Sequence, residues 1–186
     1  LPVQEGYLKQ VSRHLPDNAF VAVDLGDITK PRARKMPGLR TVRDGSTKTL
    51  KKGWWLIEIE AVFGKGKHLP LWLELFSVSR RGYKSQRMLV QQAITYLVDR
   101  LGKLGLWLFD RGFDNWEFFA FLEGLELKFL IRVNSNRIVK LADGRSLALG
   151  RLAQESCVQA EFVWGRRRQG RGYVIEVAWA EFMIPQ

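Results

Sequence analysis

Two aspartates carry the most specific chemistry this sequence offers. Asp24 closes the run Phe20 to Asp24 (FVAVD) and Asp110 closes Leu106 to Asp110 (LWLFD), each a short apolar stretch suited to a buried strand. In an open α/β sheet ligands gather at the carboxyl ends of the strands, so two acids at two such ends converge if their strands are parallel neighbours. Two close carboxylates repel each other unless a divalent cation lies between them. Mg²⁺ suits such a pair, because it accepts a few carboxylates together with waters and phosphate oxygens; Mn²⁺ can substitute. A pair of metals held there would activate a water or a 3′-hydroxyl and stabilise the leaving oxygen of a phosphodiester. The competing reading is a pair of solvated surface acids, and spacing alone leaves both open.

Other constellations offer less. His14 and His68 make no Ser-His-Asp arrangement, and the single cysteine, Cys157, can build neither an internal disulfide nor a multi-cysteine zinc site. Gly64-Lys65-Gly66-Lys67 lacks the spacing of a phosphate-binding P-loop. Asp27 either assists a metal or caps local backbone, and Asp114 reads as a helix cap. Arg111 either contacts a phosphate or pairs with Asp114 or Glu117. Trp164 and Trp179 are candidates to stack on an unpaired base, against the commoner role of aromatic residues in a core.

The elements that must position the two acids follow from periodicity. After Phe20 to Asp24, strand-like runs at Trp54 to Phe63 and Leu69 to Ser77 flank the Gly64 to Lys67 hairpin connection. Leu89, Ala93, Ile94, Leu97, Val98 and Leu101 recur at three and four, predicting an amphipathic helix over 85–103 capped by Ser85. Asp114 and Glu117 have the form of a capping box, opening a helix from Asn115 to about Glu123, and Lys128 to Val133 (KFLIRV) makes a further strand. The order predicts an α/β layer architecture with a mixed sheet over residues 1–133. From Asn134 onward short β-like runs without helical period predict a mostly β insertion over 134–186.

Charge points to a polyanionic partner. The 186 residues hold 30 Lys plus Arg against 19 Asp plus Glu, a net +11. Nine of these cations lie between residues 28 and 52 against one acid, Asp44, where Pro31, Pro37, Gly38 and Gly45 predict a cationic loop; the composition of Gly165 to Gly172 predicts a second basic turn. Lys30, Arg32, Arg34, Lys35, Arg111, Arg166, Arg167 and Arg168 are the candidate phosphate contacts. A membrane is not expected as partner, because no apolar run approaches the roughly 20 residues that a spanning helix needs.

The words around the acids sharpen the reading. Val21-Ala22-Val23-Asp24-Leu25-Gly26-Asp27-Ile28-Thr29-Lys30-Pro31, continuing to Lys35-Met36 and Val42-Arg43-Asp44-Gly45-Ser46, resembles the first-acid block of DDE transposases from bacterial insertion sequences. Leu106-Trp107-Leu108-Phe109-Asp110-Arg111-Gly112-Phe113-Asp114-Asn115 resembles the second-acid block, and Phe129-Leu130-Ile131-Arg132-Val133 is similar to the strand that follows it. The resemblance spans about residues 20–133. It implies a ribonuclease H-like fold with strand order 3-2-1-4-5, the two acids on adjacent central strands as Mg²⁺ ligands, and cleavage and strand transfer of double-stranded DNA at transposon ends and target. It also implies a bacterial, cytoplasmic, nucleoid-associated protein and a homodimer when full length. In the subgroup with a β-rich insertion, a third acid follows on a helix of Tyr-Arg-Glu-Lys type. Glu155, Glu161, Glu176 and Glu181 do not fit that pattern, so the chain is expected to be a fragment with the last catalytic helix absent, binding DNA while cleaving it barely or not at all by itself. Two alternatives stand beside this reading: a non-catalytic DNA-binding remnant, and another ribonuclease H-like nuclease.

Overall fold

Alternation of side chains along the strands sets the layering, because successive residues point to opposite faces of a sheet. The computed structural model describes residues 2–64, 66–164, 173–177 and 182–183. The chain divides into two compact units, Leu1–Arg132 and Val133–Gln186.

The first unit is α/β with a mixed sheet. Strand β1 (Phe20–Thr29) pairs antiparallel with β3 (Leu50–Phe63), and β3 pairs antiparallel with both β2 (Arg40–Arg43) and β4 (Lys67–Phe76). On its other side β1 runs parallel to β5 (Leu106–Phe109), which runs parallel to β6 (Phe129–Ile131). Helices α1 (Pro2–Val11), α2 (Gln86–Leu101) and α3 (Trp116–Gly124) supply one common core. Val21, Val23, Ile57, Ile59, Trp107 and Phe109 from the strands bury against Leu8 of α1, Ile94 and Leu97 of α2, and Phe118 and Leu122 of α3. Residues of the opposite parity stay outside this cluster. Phe20, Leu73, Leu75 and Leu130 are 47%, 65%, 52% and 62% exposed, so within this unit the helices cover one face and leave the other open.

The caps account for the helix starts. Ser85 caps α2, its hydroxyl accepting from the Met88 amide. For α3 the cap is Asn115 rather than Asp114: the Asn115 side chain accepts from the Phe118 amide, and Asp114 sits one residue too early to reach the first free N–H groups. The expected acid-ended strand is also longer than its apolar run. β1 continues through Leu25-Gly26-Asp27-Ile28-Thr29 because β3 offers a pairing partner as far as Gly53, opposite Thr29. The cationic stretch is less irregular than its prolines and glycines suggest, since β2 forms within it. Helix α1 has no counterpart in the sequence reading, its few apolar positions being diluted by polar ones.

The second unit is mainly β. Strands β7 (Ile138–Leu141) and β8 (Ser146–Ala148) form a hairpin across Asp143-Gly144, whose Asp143 carboxylate accepts from the Arg145 amide. Within this mostly β unit stands one helix that the sequence pattern did not predict, α4 (Leu149–Glu155); it has no side-chain cap, and an Arg151–Glu155 ion pair one turn apart supports it. Strands β9 (Ala160–Trp164) and β10 (Tyr173–Val177) pair antiparallel, and β11 (Phe182–Met183) pairs with β7.

Gly53 is the point at which β1, β3 and β2 meet. It stands opposite both Thr29 and Arg40, and a Cβ there would lie 2.3 Å from the Ile28 carbonyl oxygen and 2.9 Å from Val42 Cγ2. Backbone against backbone cannot yield cheaply. Gly53→Ala is therefore expected to cost about 2–3 kcal/mol in urea unfolding. A loss below about 0.5 kcal/mol, within the range of an ordinary surface substitution, would contradict this packing.

Candidate functional site

The register of β1 against β5 brings the two acids side by side. Phe20 stands opposite Leu106 and Val23 opposite Phe109, so the next residues in each strand direction are Asp24 and Asp110. Val23 and Phe109 are 3% and 5% exposed on the helical side, and alternation turns Asp24 to the open side. Asp110, the residue at which β5 stops, is exposed as well. Asp24 thus marks the position where β1 loses its parallel neighbour, although β1 itself continues.

Each acid is fixed by its own backbone. The Leu25 amide donates to Asp24 Oδ1 at 2.8 Å, and the Gly112 amide donates to Asp110 Oδ1 at 2.8 Å, making Asp110 the cap of a 3₁₀ turn over Arg111–Phe113. The Asp-Arg-Gly-Phe word has a local reason. A Cβ on Gly112 would stand 3.0 Å from Asp110 Oδ1, crowding the hydrogen-bonded carboxylate. Phe113, 3% exposed, anchors the turn beneath: its ring centroid lies 5.3 Å from Phe109 and 4.9 Å from Phe118. Arg111 is exposed, and Glu117, one of its two possible carboxylate partners, is taken by Arg87 of α2.

A carboxylate that no sequence motif singles out stands next to Asp24. Glu58 of β3 is the direct cross-strand partner of Asp24, which places their Cβ atoms about 5 Å apart. Partial burial pushes the Glu58 carboxyl above its usual range, and the charges of Glu60 and Asp24 add to this. The signal in the sequence was the alternation Ile57-Glu58-Ile59-Glu60, two acids on the open side of a buried strand. Among the described residues no group of three His, Cys, Asp or Glu side chains converges as a metal cluster. Asp24 and Asp110 by themselves match the one or two carboxylates with which Mg²⁺ is commonly held. Asp27 faces the helical side and accepts from the Gly45 amide at 2.9 Å, so it holds the β2–β3 connection to β1.

Of the candidate phosphate contacts, Lys30, Arg32, Arg34 and Lys35 are all exposed in the segment between β1 and β2. Arg166, Arg167 and Arg168, and Trp179, lie outside the described residues; Trp164 ends β9. No helix among the described residues is long and apolar enough to cross a membrane. Compared with known proteins, the sequence matches no family model and no curated protein.

The raised Glu58 carboxyl gives a pH test with a definite sign. A carboxyl whose folded pKa lies above its unfolded value favours the fold when protonated, so its charged form costs stability as pH rises through the folded pKa. Glu58→Gln removes that cost. Without divalent cations the variant is expected to melt higher than wild type near pH 7 and no higher near pH 4, about the ordinary glutamate value. Equal melting temperatures at both pH values would show that Glu58 is not strained by its neighbours.

Proposed function

We propose that this chain is part of a DDE-type transposase of ribonuclease H-like fold, and that Asp24 and Asp110 hold Mg²⁺ for phosphodiester cleavage and strand transfer of double-stranded DNA. The observation that carries the reading is the pairing of β1 and β5, which sets two acids from distant sequence blocks at neighbouring positions. Strand order supports it: setting β2 aside, the sheet runs β4-β3-β1-β5-β6, the 3-2-1-4-5 order that the resemblance implies. The net charge of +11 fits a polyanionic substrate.

When bound, the metal would supply a nucleophile at neutral pH and charge stabilisation at the leaving oxygen. The chain's own part is placement. The hydrogen bonds from the Leu25 and Gly112 amides hold the two carboxylates before any substrate arrives, and the packed Phe113 keeps the Asp110 turn from drifting. A misplacement of about 1 Å at such a site can cost on the order of a hundredfold in rate. Asp24 and Asp110 are both exposed, as contact with a long polymer substrate requires.

The count of two acids favours a second reading, a DNA-binding relative that turns nothing over. Incubating a labelled duplex with Mg²⁺ or Mn²⁺ separates the two. Slow, metal-dependent nicking is expected from the 186-residue chain, abolished in Asp24→Asn and in Asp110→Asn while duplex binding persists. Duplex binding with no nicking and no rise of the melting temperature in either metal selects the second reading. Nicking that survives both substitutions would contradict the assignment of the acids.

A further inference from the structure

The β2–β3 ribbon has two unlike faces. On one, Val42 is 1% exposed and Lys51 is neutralised by Asp44 at 2.5 Å. On the other, Arg43 stands opposite Leu50 and Thr41 opposite Lys52; Arg43 and Lys52 are exposed, and neither has a carboxylate partner among the described residues. By alternation along β3, Lys52 and Leu50 share the face of Glu58, and Glu58 is the cross-strand partner of Asp24. The unpaired cations of the ribbon and the acids therefore look out from the same side of one continuous sheet.

The ribbon is built rigidly. Asp44 Oδ1 accepts from the Ser46 and Thr47 amides at 2.9 and 3.1 Å, the Asp44 amide donates to the Thr49 carbonyl at 2.9 Å, and the Gly45 amide ties the tip to Asp27. The Lys51 ammonium above all, with the Ser46 hydroxyl and Thr47 amide, holds the Asp44 carboxyl well below the usual carboxylate range. A tip fixed in this way loses little conformational freedom on binding. Leu50, 72% exposed, stands at its end beside Arg43. At about 3.4 Å per residue, the strand from Glu58 back to Leu50 carries the ribbon about 27 Å beyond Asp24.

We infer that this ribbon is a docking element for duplex DNA, with Lys52 and Arg43 on phosphates flanking a groove about six to eight base pairs from the bond held at Asp24 and Asp110. The groove of B-form DNA is wide enough for a two-stranded ribbon, and spans of about 20 Å to Lys52 and about 27 Å to Arg43, at about 3.4 Å per base pair, give the spacing. The inference rests on the reading of the acids as a DNA-cleaving centre. It adds a second point of contact that fixes the direction in which the duplex leaves that centre.

The test is the salt dependence of duplex binding by the 186-residue chain, with the melting temperature of each variant measured alongside. Each phosphate contact contributes about 0.9 to the slope of log affinity against log salt, so Arg43→Gln with Lys52→Gln should make the slope shallower by about 1.8. Lys103→Gln, at the opposite end of β5 and paired with Glu126, should leave it unchanged. A wild-type slope in the double variant would overturn the ribbon contact while leaving the cleavage reading standing. An equal loss of slope on duplex RNA, whose deep and narrow major groove excludes a ribbon, would overturn the commitment to a B-form groove. Absence of any salt-dependent duplex binding by wild type would overturn both this inference and the reading beneath it.

Discussion

Parallel pairing of β1 with β5 is the constraint from which the site follows. Four paired positions, ending at Val23 opposite Phe109, bring residues more than eighty apart in the chain to adjacent places on one sheet edge. A slip of one residue would turn one of the acids into the apolar core, where an unpaired charge is expensive, so the buried pattern Val21, Val23, Trp107, Phe109 also fixes the orientation of the carboxylates. Packing and the placement of the two acids are here a single requirement. The aromatic cluster of Phe109, Phe113 and Phe118 extends it one turn further, holding the residues after Asp110 where β5 has ended.

Charge is distributed along the open face in a way that serves the proposed chemistry. Asp24 and Glu58 lie side by side, strain each other when both are ionised, and so favour a cation near them. The exposed cations Arg43 and Lys52 stand farther along the same face. A polyanion laid along that face meets attraction from the ribbon and repulsion from the acids unless metal is present, which couples substrate binding at the centre to the cation. The acid within the basic segment, Asp44, works differently: it neutralises Lys51 and organises the tip, while the outward cations Arg43 and Lys52 have no carboxylate partner among the described residues.

Much of the fold was legible because its signals are local. The period of three and four from Leu89 to Leu101 and the Ser85 cap give α2, and the short apolar runs give β1, β5 and β6. What escaped depended on partners distant in sequence. β2 and the extension of β1 to Thr29 exist because β3 is long enough to pair with both, and a run containing Gly26, Asp27 and Gly53 does not announce that. Glu58 was invisible as a neighbour of Asp24 until the register was known. Asp24 and Asp110 were legible as strand-end acids, and the Asp110 turn has a local logic in Gly112 and Phe113, but which strands are neighbours is a property of the whole sheet.

The central claim is that Asp24 and Asp110 share a divalent cation on the open face of the sheet. Anomalous diffraction from crystals grown with Mn²⁺ reads this most directly. The account predicts an anomalous peak within about 2.5 Å of carboxylate oxygens from both residues, lost in Asp110→Asn with the surrounding chain unchanged. A peak held by Asp24 and Glu58 with Asp110 turned away, or acids on opposite faces of the sheet, would contradict it.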